Sequence, residues 1–227
     1  VCSSDLIMKK IYFFVLASMI AFNSTSNAEM KYGVSAAFTS IEASGTETEG
    51  GETNTQNVTN DVIIPSIFVE YVVSENGSIG LDLIPFSADV SDNTRTRTDT
   101  ETSGASGPTD VTTAVTQNQK ANASLKNHLT LYGHYNMGSN FYLKGGVVHV
   151  KLETEETLAT GSKYGDEDIY GAVVGAGFTD GNSRLELVYT DYEDIVLTSS
   201  VARTGVTTNN TIDADLDTLA FKYSYAF

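Results

Sequence analysis

The sequence closes on FKYSYAF at 221–227, a run in which every second residue is aromatic. Period-two alternation marks a strand with two unlike faces. Leu219, Phe221, Tyr223, Tyr225 and Phe227 fall on one side, and Thr218, Ala220, Lys222, Ser224 and Ala226 on the other. The free C-terminal segment of a soluble chain is usually polar and frayed. This one is made to bury an apolar face, although the 227-residue chain carries a formal net charge of -16.

The same texture recurs upstream. Tyr32, Val34, Ala36 and Phe38 alternate with Lys31, Gly33, Ser35 and Ala37, and Tyr170, Ala172, Val174, Ala176 and Phe178 alternate with Gly171, Val173, Gly175 and Gly177. Eight strands are expected on this pattern, at 31–41, 61–73, 78–90, 120–135, 140–152, 169–178, 183–197 and 215–227. Three connections are tight turns with residues suited to positive φ: Glu75-Asn76-Gly77, Met137-Gly138-Ser139 and Thr179-Asp180-Gly181-Asn182. Between them lie long polar loops, expected at 43–60, 91–119, 153–168 and 198–214. Strict alternation of long and short connections puts every long loop at one end.

Loops of that length without structure of their own argue against a compact soluble domain. In a transmembrane β-barrel they are ordinary, because one rim carries long loops and the other short turns. Hydrocarbon offers no hydrogen-bond partners, so each backbone N–H and C=O must pair within a closed sheet. The fold expected is all-β, an eight-stranded antiparallel up-and-down transmembrane β-barrel. Its apolar face turns to lipid and its polar or very small residues turn inward, the reverse of a lipocalin-type barrel. Tyr32, Tyr71, Tyr135, Phe141, Tyr142, Phe178 and Tyr225 fall near strand ends, where amphipathic rings form girdles at the headgroup level.

The N-terminal region reads as an export signal. Lys9 and Lys10 precede an apolar core at 11–22, and Ser26-Asn27-Ala28 is a small-residue cleavage site. The apolar core is shorter than the roughly 20 residues of a membrane-spanning helix. The expected organisation is therefore a non-native leader at 1–7, a signal peptide at 8–28 and one barrel domain at 29–227. Cys2, the single cysteine, lies in the leader, so the mature chain has no thiol for disulfides, catalysis or metal binding. Losing Asp5, Lys9 and Lys10 leaves the mature chain one unit more negative. Nucleic acid and anionic surfaces would be repelled.

The export signal, the eight alternating strands, the four long loops against three short turns and the F-x-Y-x-Y-x-F terminus resemble the small outer-membrane β-barrels of Gram-negative bacteria, as in OmpA-like and OmpX-like transmembrane domains. The resemblance covers essentially all of 29–227. It implies outer-membrane localisation, and in that family the terminal aromatic strand is the signal read by the barrel-assembly machinery, which here falls on Tyr223, Tyr225 and Phe227. It also implies outer-membrane lipid and lipopolysaccharide as surroundings, with a monomer as the expected state. The peptidoglycan-binding domain of full-length OmpA-type proteins has no counterpart, so no cell-wall tether is expected.

Eight strands leave an interior about wide enough for side chains to fill it. Inward positions inferred from the alternation are acidic at Glu70, Asp82 and Glu186 and basic at Lys144, Arg184 and Lys222. A buried unpaired charge costs several kcal/mol, so these six are expected to pair as a network that plugs the lumen. Charges solvated near the rims are the alternative.

Catalysis finds little support. His128 and His134 share the inward face of one strand and Ser124 is near in sequence, but no triad spacing and no G-x-S-x-G element is present, so both read as lumen histidines. GAVVGAG at 171–177 has glycines but no helix to follow, so it is no phosphate loop. The acidic runs at 166–168 and 191–194 lack an EF-hand's spacing and read as solvated rims. No cofactor or metal is expected. The function expected is a non-enzymatic barrel for envelope integrity or surface interaction, with a narrow porin-like channel for small solutes and a lipid- or peptide-processing barrel enzyme as alternatives.

Overall fold

A computed structural model describes residues 29–49, 52–99, 115–138, 140–157, 163–200 and 208–227. The expected leader and signal peptide at 1–28 lie outside the described residues.

Ten strands follow one another: β1 (Met30–Glu49), β2 (Glu52–Ser74), β3 (Gly77–Ile84), β4 (Ala88–Asp99), β5 (Val115–Asn136), β6 (Phe141–Thr157), β7 (Glu167–Asp180), β8 (Ser183–Tyr192), β9 (Ile195–Thr198) and β10 (Thr211–Ala226). They make eight walls, because β4 prolongs the third wall beyond Pro85 and β9 prolongs the seventh beyond Glu193 and Asp194. Neighbours pair antiparallel in the order β1-β2-β3-β5-β6-β7-β8-β10, and β10 returns to β1. That last ladder runs from Gly33↔Ala226 to Thr48↔Thr211. The sheet therefore has no free edge at the seam, as hydrocarbon requires.

Short turns join the walls at one end. Gly181, at φ 60°, and Asn182 link β7 to β8 beyond the pair Asp180↔Ser183, and Gly138, at φ 120°, lies between β5 and β6. Both glycines occupy a region that side chains with a Cβ rarely adopt.

At the other end the structure corrects the expected loops. The stretch 43–60 is mostly sheet, since β1 and β2 stay paired from Met30↔Tyr71 to Glu49↔Glu52. Likewise β4 and β5 pair out to Asp99↔Val115, and β5 and β6 to Lys120↔Thr157. The walls continue as ribbons well past the apolar zone. Their sequence hides this because both faces meet water there, so the apolar alternation fades while the backbone ladder goes on; threonine, common in these stretches, favours strands.

The outward face is apolar along the lower part of every wall. Phe38, Ile63, Leu83, Leu131, Val147, Val174, Leu187 and Phe221, one from each wall, are all exposed. On β10 the belt spans Leu219 to Phe227, about 27 Å along the strand and roughly 20 Å once tilted, close to the height of a barrel's apolar band. Tyr142 departs from the expected girdle. Phe141 faces out, so its sequence neighbour must face in, and Tyr142 is 2% exposed.

Inside, the lumen has two storeys. The lower one is polar and ionic. The upper one is an apolar cluster that includes Ile41, Leu125, Val148, Val150, Leu152, Ile169, Ile195 and Leu216. This differs from an interior of polar and very small residues throughout. Above the belt the barrel behaves like a water-soluble one, wet outside and greasy inside, so the sense of the alternation reverses along the same strands.

Candidate functional site

The lower lumen is built by residues reaching inward from five walls: Glu70 on β2, Asp82 on β3, Lys144 on β6, Arg184 and Glu186 on β8, and Lys222 on β10. All but Arg184 are buried, and Arg184 is half-buried. Arg184 crosses the lumen to Glu70 with a two-pronged contact, Nη1 to Oε2 at 2.6 Å and Nη2 to Oε1 at 3.0 Å. Lys144 Nζ donates to Glu186 Oε1 at 3.3 Å. Lys222 donates to Asp82 from the far side of the barrel. Three acids thus meet three bases, each with a partner of opposite sign.

His134, an inward-facing histidine on the alternation, and Tyr132, which the alternation did not single out, join these pairs. His134 on β5 stands between the carboxylates, with Nδ1 3.2 Å from Glu70 Oε2 and Nε2 3.4 Å from Glu186 Oε1. The second approach lacks hydrogen-bond geometry. Tyr132 donates its hydroxyl to Glu70 Oε2 at 3.3 Å, and Lys144 Nζ lies 4.2 Å from the centre of the Tyr132 ring. The His134 ring sits between the rings of Tyr132 and Tyr142, at 4.8 and 4.5 Å. The alternation places His134 on the inward face as a lumen histidine, and the structure adds its carboxylate partners.

The small inward residues make room for these rings. A Cβ on Gly80 would lie 2.3 Å from the Tyr132 ring, and one on Gly177 2.5 Å from that of Tyr142. Gly177 belongs to the GAVVGAG run, whose glycines here serve packing.

Above the ion pairs lies a cavity of about 90 Å³. Its floor is the Asp82–Lys222 pair and its walls include Ile41, Ile64, Leu125, Val173 and Val188. His128 also lines it, with Nε2 3.1 Å from the Tyr192 hydroxyl and with Nδ1 unpartnered. Neither His128 nor His134 makes a recorded bond to a serine. Ser124 is separated from His128 by an irregularity in β5, where Asn127 has φ 54° and the register with β6 shifts between Lys126 and Leu129. A serine–histidine pair is not assembled among the described residues, which also include no group of three or more side chains fit to hold a metal.

Several carboxylates at the upper rim are engaged. Asp166 accepts from Lys151 Nζ at 2.9 Å, Lys126 reaches Glu153, and Asp168 stands 3.2 Å from His149 Nε2. Hydrogen bonding to Lys151 holds the Asp166 carboxyl below its ordinary range, and Lys126 does the same for Glu153.

At the seam, Tyr223, Tyr225 and Phe227 point outward into the belt. The Tyr223 hydroxyl lies 3.1 Å from Ser183 Oγ, and the Tyr225 and Phe227 rings meet edge to face at 5.4 Å.

A closed antiparallel ring with an apolar waist, a filled ionic lumen and short turns on one rim has the build of the small outer-membrane β-barrels of Gram-negative bacteria. No family model matches the sequence, and no curated protein matches it at a significant level. Solved structures do. The outer membrane protein AlkL, determined by solid-state NMR in lipid bilayers, matches at a TM-score of 0.50 and 13% identity, over 90% of this chain and 93% of that one. Ail, the attachment invasion locus protein of Yersinia pestis, in complex with the heparin analogue sucrose octasulfate, matches at 0.45 and 10% identity, over 88% and 99%. Neisserial surface protein A matches at 0.41 and 9% identity, over 89% and 100%. At such identities the likeness is one of fold.

Proposed function

We propose that this chain is a non-enzymatic integral outer-membrane barrel whose lumen is closed by its own side chains and whose acidic outer ribbons serve envelope integrity or contact with the cell's surroundings. The observation that carries the reading is the set of lumen pairs Glu70–Arg184, Glu186–Lys144 and Asp82–Lys222, each joining walls that are not neighbours in the ring. The apolar cluster above them closes the bore a second time. Removing any one partner would leave a buried charge at a cost of several kcal/mol, so the pairs resist opening. The proposal includes export by the segment 8–28, assembly through Tyr223, Tyr225 and Phe227 as the recognised terminal strand, and lipid and lipopolysaccharide around the belt. Planar-bilayer recording of the full mature chain tests closure: negligible steady conductance is expected, and large open-channel currents from the monomer would defeat the proposal.

A narrow channel for small solutes is the second reading. The cavity above the ion pairs favours it, because the upper storey is not solid throughout. Liposome swelling with sugars and amino acids of graded size separates the two, since a plugged barrel leaves the swelling rate at its protein-free value.

A further inference from the structure

The wall of the barrel is not continuous beside the cavity. The β2–β3 ladder ends at Ile67↔Leu83, and β4 pairs with β5 alone. Extending the register two residues past that last pair sets Pro65 against Pro85. Neither proline has an N–H to give, so the ladder cannot continue through them. Pro65 keeps its place on the β1 side, opposite Ala36, which confines the fault to one seam. Above it a side-chain bond joins the two walls, with Asn60 Nδ2 donating to the Asp89 carbonyl at 2.6 Å.

Phe86 stands in this seam and faces both ways: it lines the lumen cavity and is nevertheless 59% exposed. Ile64 lines the same cavity, and its neighbour Ile63 is 75% exposed on the outer face. One side of the cavity thus lies against the outer surface, between β2 and the break at 85–87. That surface belongs to the apolar belt, since Ile63 pairs with Phe38, itself exposed.

We propose that this seam is a lateral opening through which the end of a membrane lipid's acyl chain enters the lumen cavity. Three observations fix the occupant. The mouth is rimmed by Ile63 and Phe86, so what lies against it in a membrane is hydrocarbon. Most of the cavity's lining surface is apolar, contributed by residues such as Ile41, Leu125, Val173 and Val188, with threonine hydroxyls and His128 between them, so the guest is apolar. The volume of about 90 Å³ is well below the roughly 150 Å³ of a cavity that accepts a benzene ring, which selects a thin chain end over a ring. The Asp82–Lys222 pair closes the floor and stops the chain from going deeper. A chain end there would fill space that otherwise lacks packing partners, and would couple the outer ribbons to the lipid around them.

This inference rests on the membrane-barrel reading, and one experiment separates their fates. The full mature chain is reconstituted in vesicles of a phospholipid carrying a diazirine at the acyl terminus, photolysed, and its adducts mapped by mass spectrometry. Adducts are expected on belt residues such as Val147 and Leu187 and also on the lumen residues Leu125, Val188 and Tyr192. Ala37→Leu, which adds bulk beside the mouth, should lower the lumen adducts several-fold and leave the belt adducts unchanged; Phe86→Ala should raise them. A heat-modifiable gel shift shows that each variant is folded. Belt adducts without lumen adducts would overturn the lateral opening alone, as would lumen labelling unaffected by Ala37→Leu. Absence of adducts everywhere would overturn the membrane reading with it.

Discussion

Phe227 donates its backbone N–H to the carbonyl of Tyr32 at 2.8 Å, and the two rings stack with centroids 5.9 Å apart. The two ends of the described barrel are thus joined by both backbone and side chain at the turn-side rim. Deleting Phe227 removes this bond and the ring contact together. The expected outcome is a lower yield of the folded, heat-modifiable species from outer membranes. Phe227→Ala keeps the backbone bond, so it separates the two effects: if the aromatic side chain is what the assembly machinery reads, Phe227→Ala lowers the yield nearly as far as the deletion. Wild-type yield from both variants would remove the assembly role proposed for this strand.

The ion pairs of the lumen make a second prediction. Replacing Glu70 by Gln weakens the two-pronged Arg184 contact and leaves a half-buried guanidinium short of a counter-charge. Breaking such a pair costs about 3–5 kcal/mol. The double replacement Glu70→Leu with Arg184→Met removes both charges and is expected to cost much less than the sum of the single changes. Urea unfolding in lipid vesicles, followed by gel shift, reads the difference. Strictly additive losses would show that the pair is not coupled.

How much of this could be read from the residues alone differs by storey. The closing strand was legible because Leu219 to Phe227 alternate between lipid and lumen, two environments as different as a protein meets. Glu70, Asp82, Lys144, Arg184, Glu186 and Lys222 were placed on the inward face by the same parity, and in the structure each meets a partner of opposite charge. The partners themselves were not legible, since parity names a face and says nothing of which wall lies across the bore. Tyr142 was misplaced for want of register by one residue. The ribbons were missed for a different reason: water on both sides erases the contrast that periodicity depends on. Pro65 and Pro85 are plain in the sequence, yet their opposition emerges only once the Ile67↔Leu83 pair is fixed.

Gly177 supports a third prediction. Its missing Cβ is the space taken by the Tyr142 ring, with the Leu185 carbonyl 2.8 Å from the same point. Gly177→Ala is expected to destabilise the barrel by about 1–3 kcal/mol through overpacking. Tyr142→Leu in the same chain should recover part of that loss, because it withdraws the ring but not the carbonyl. Unfolding of the single and double variants forms a cycle. A recovery of zero would mean that the backbone contact dominates.

The rim carboxylates support the last prediction, and its sign follows from their direction of shift. Asp166 and Glu153 are held below their ordinary values by hydrogen bonds from Lys151 and Lys126, so folding favours their charged forms. Their contribution is fully present above the unfolded-state values near 4, and is lost as the pH falls through the lower folded-state values. The lysines shift upward by the same contacts, so their share persists through neutral pH and disappears only in strong alkali. These groups are exposed, and exposed ion pairs contribute little to global stability. The effect is therefore expected in local order: amide hydrogen exchange at the tops of β6 and β7 should quicken between pH 4 and 2, after correction for intrinsic rates. Lys151→Met should abolish most of that dependence, while exchange in the belt segment around Val147 stays unchanged in both proteins. Equal acid sensitivity with and without Lys151 would show that the ion pairs do not order the rim.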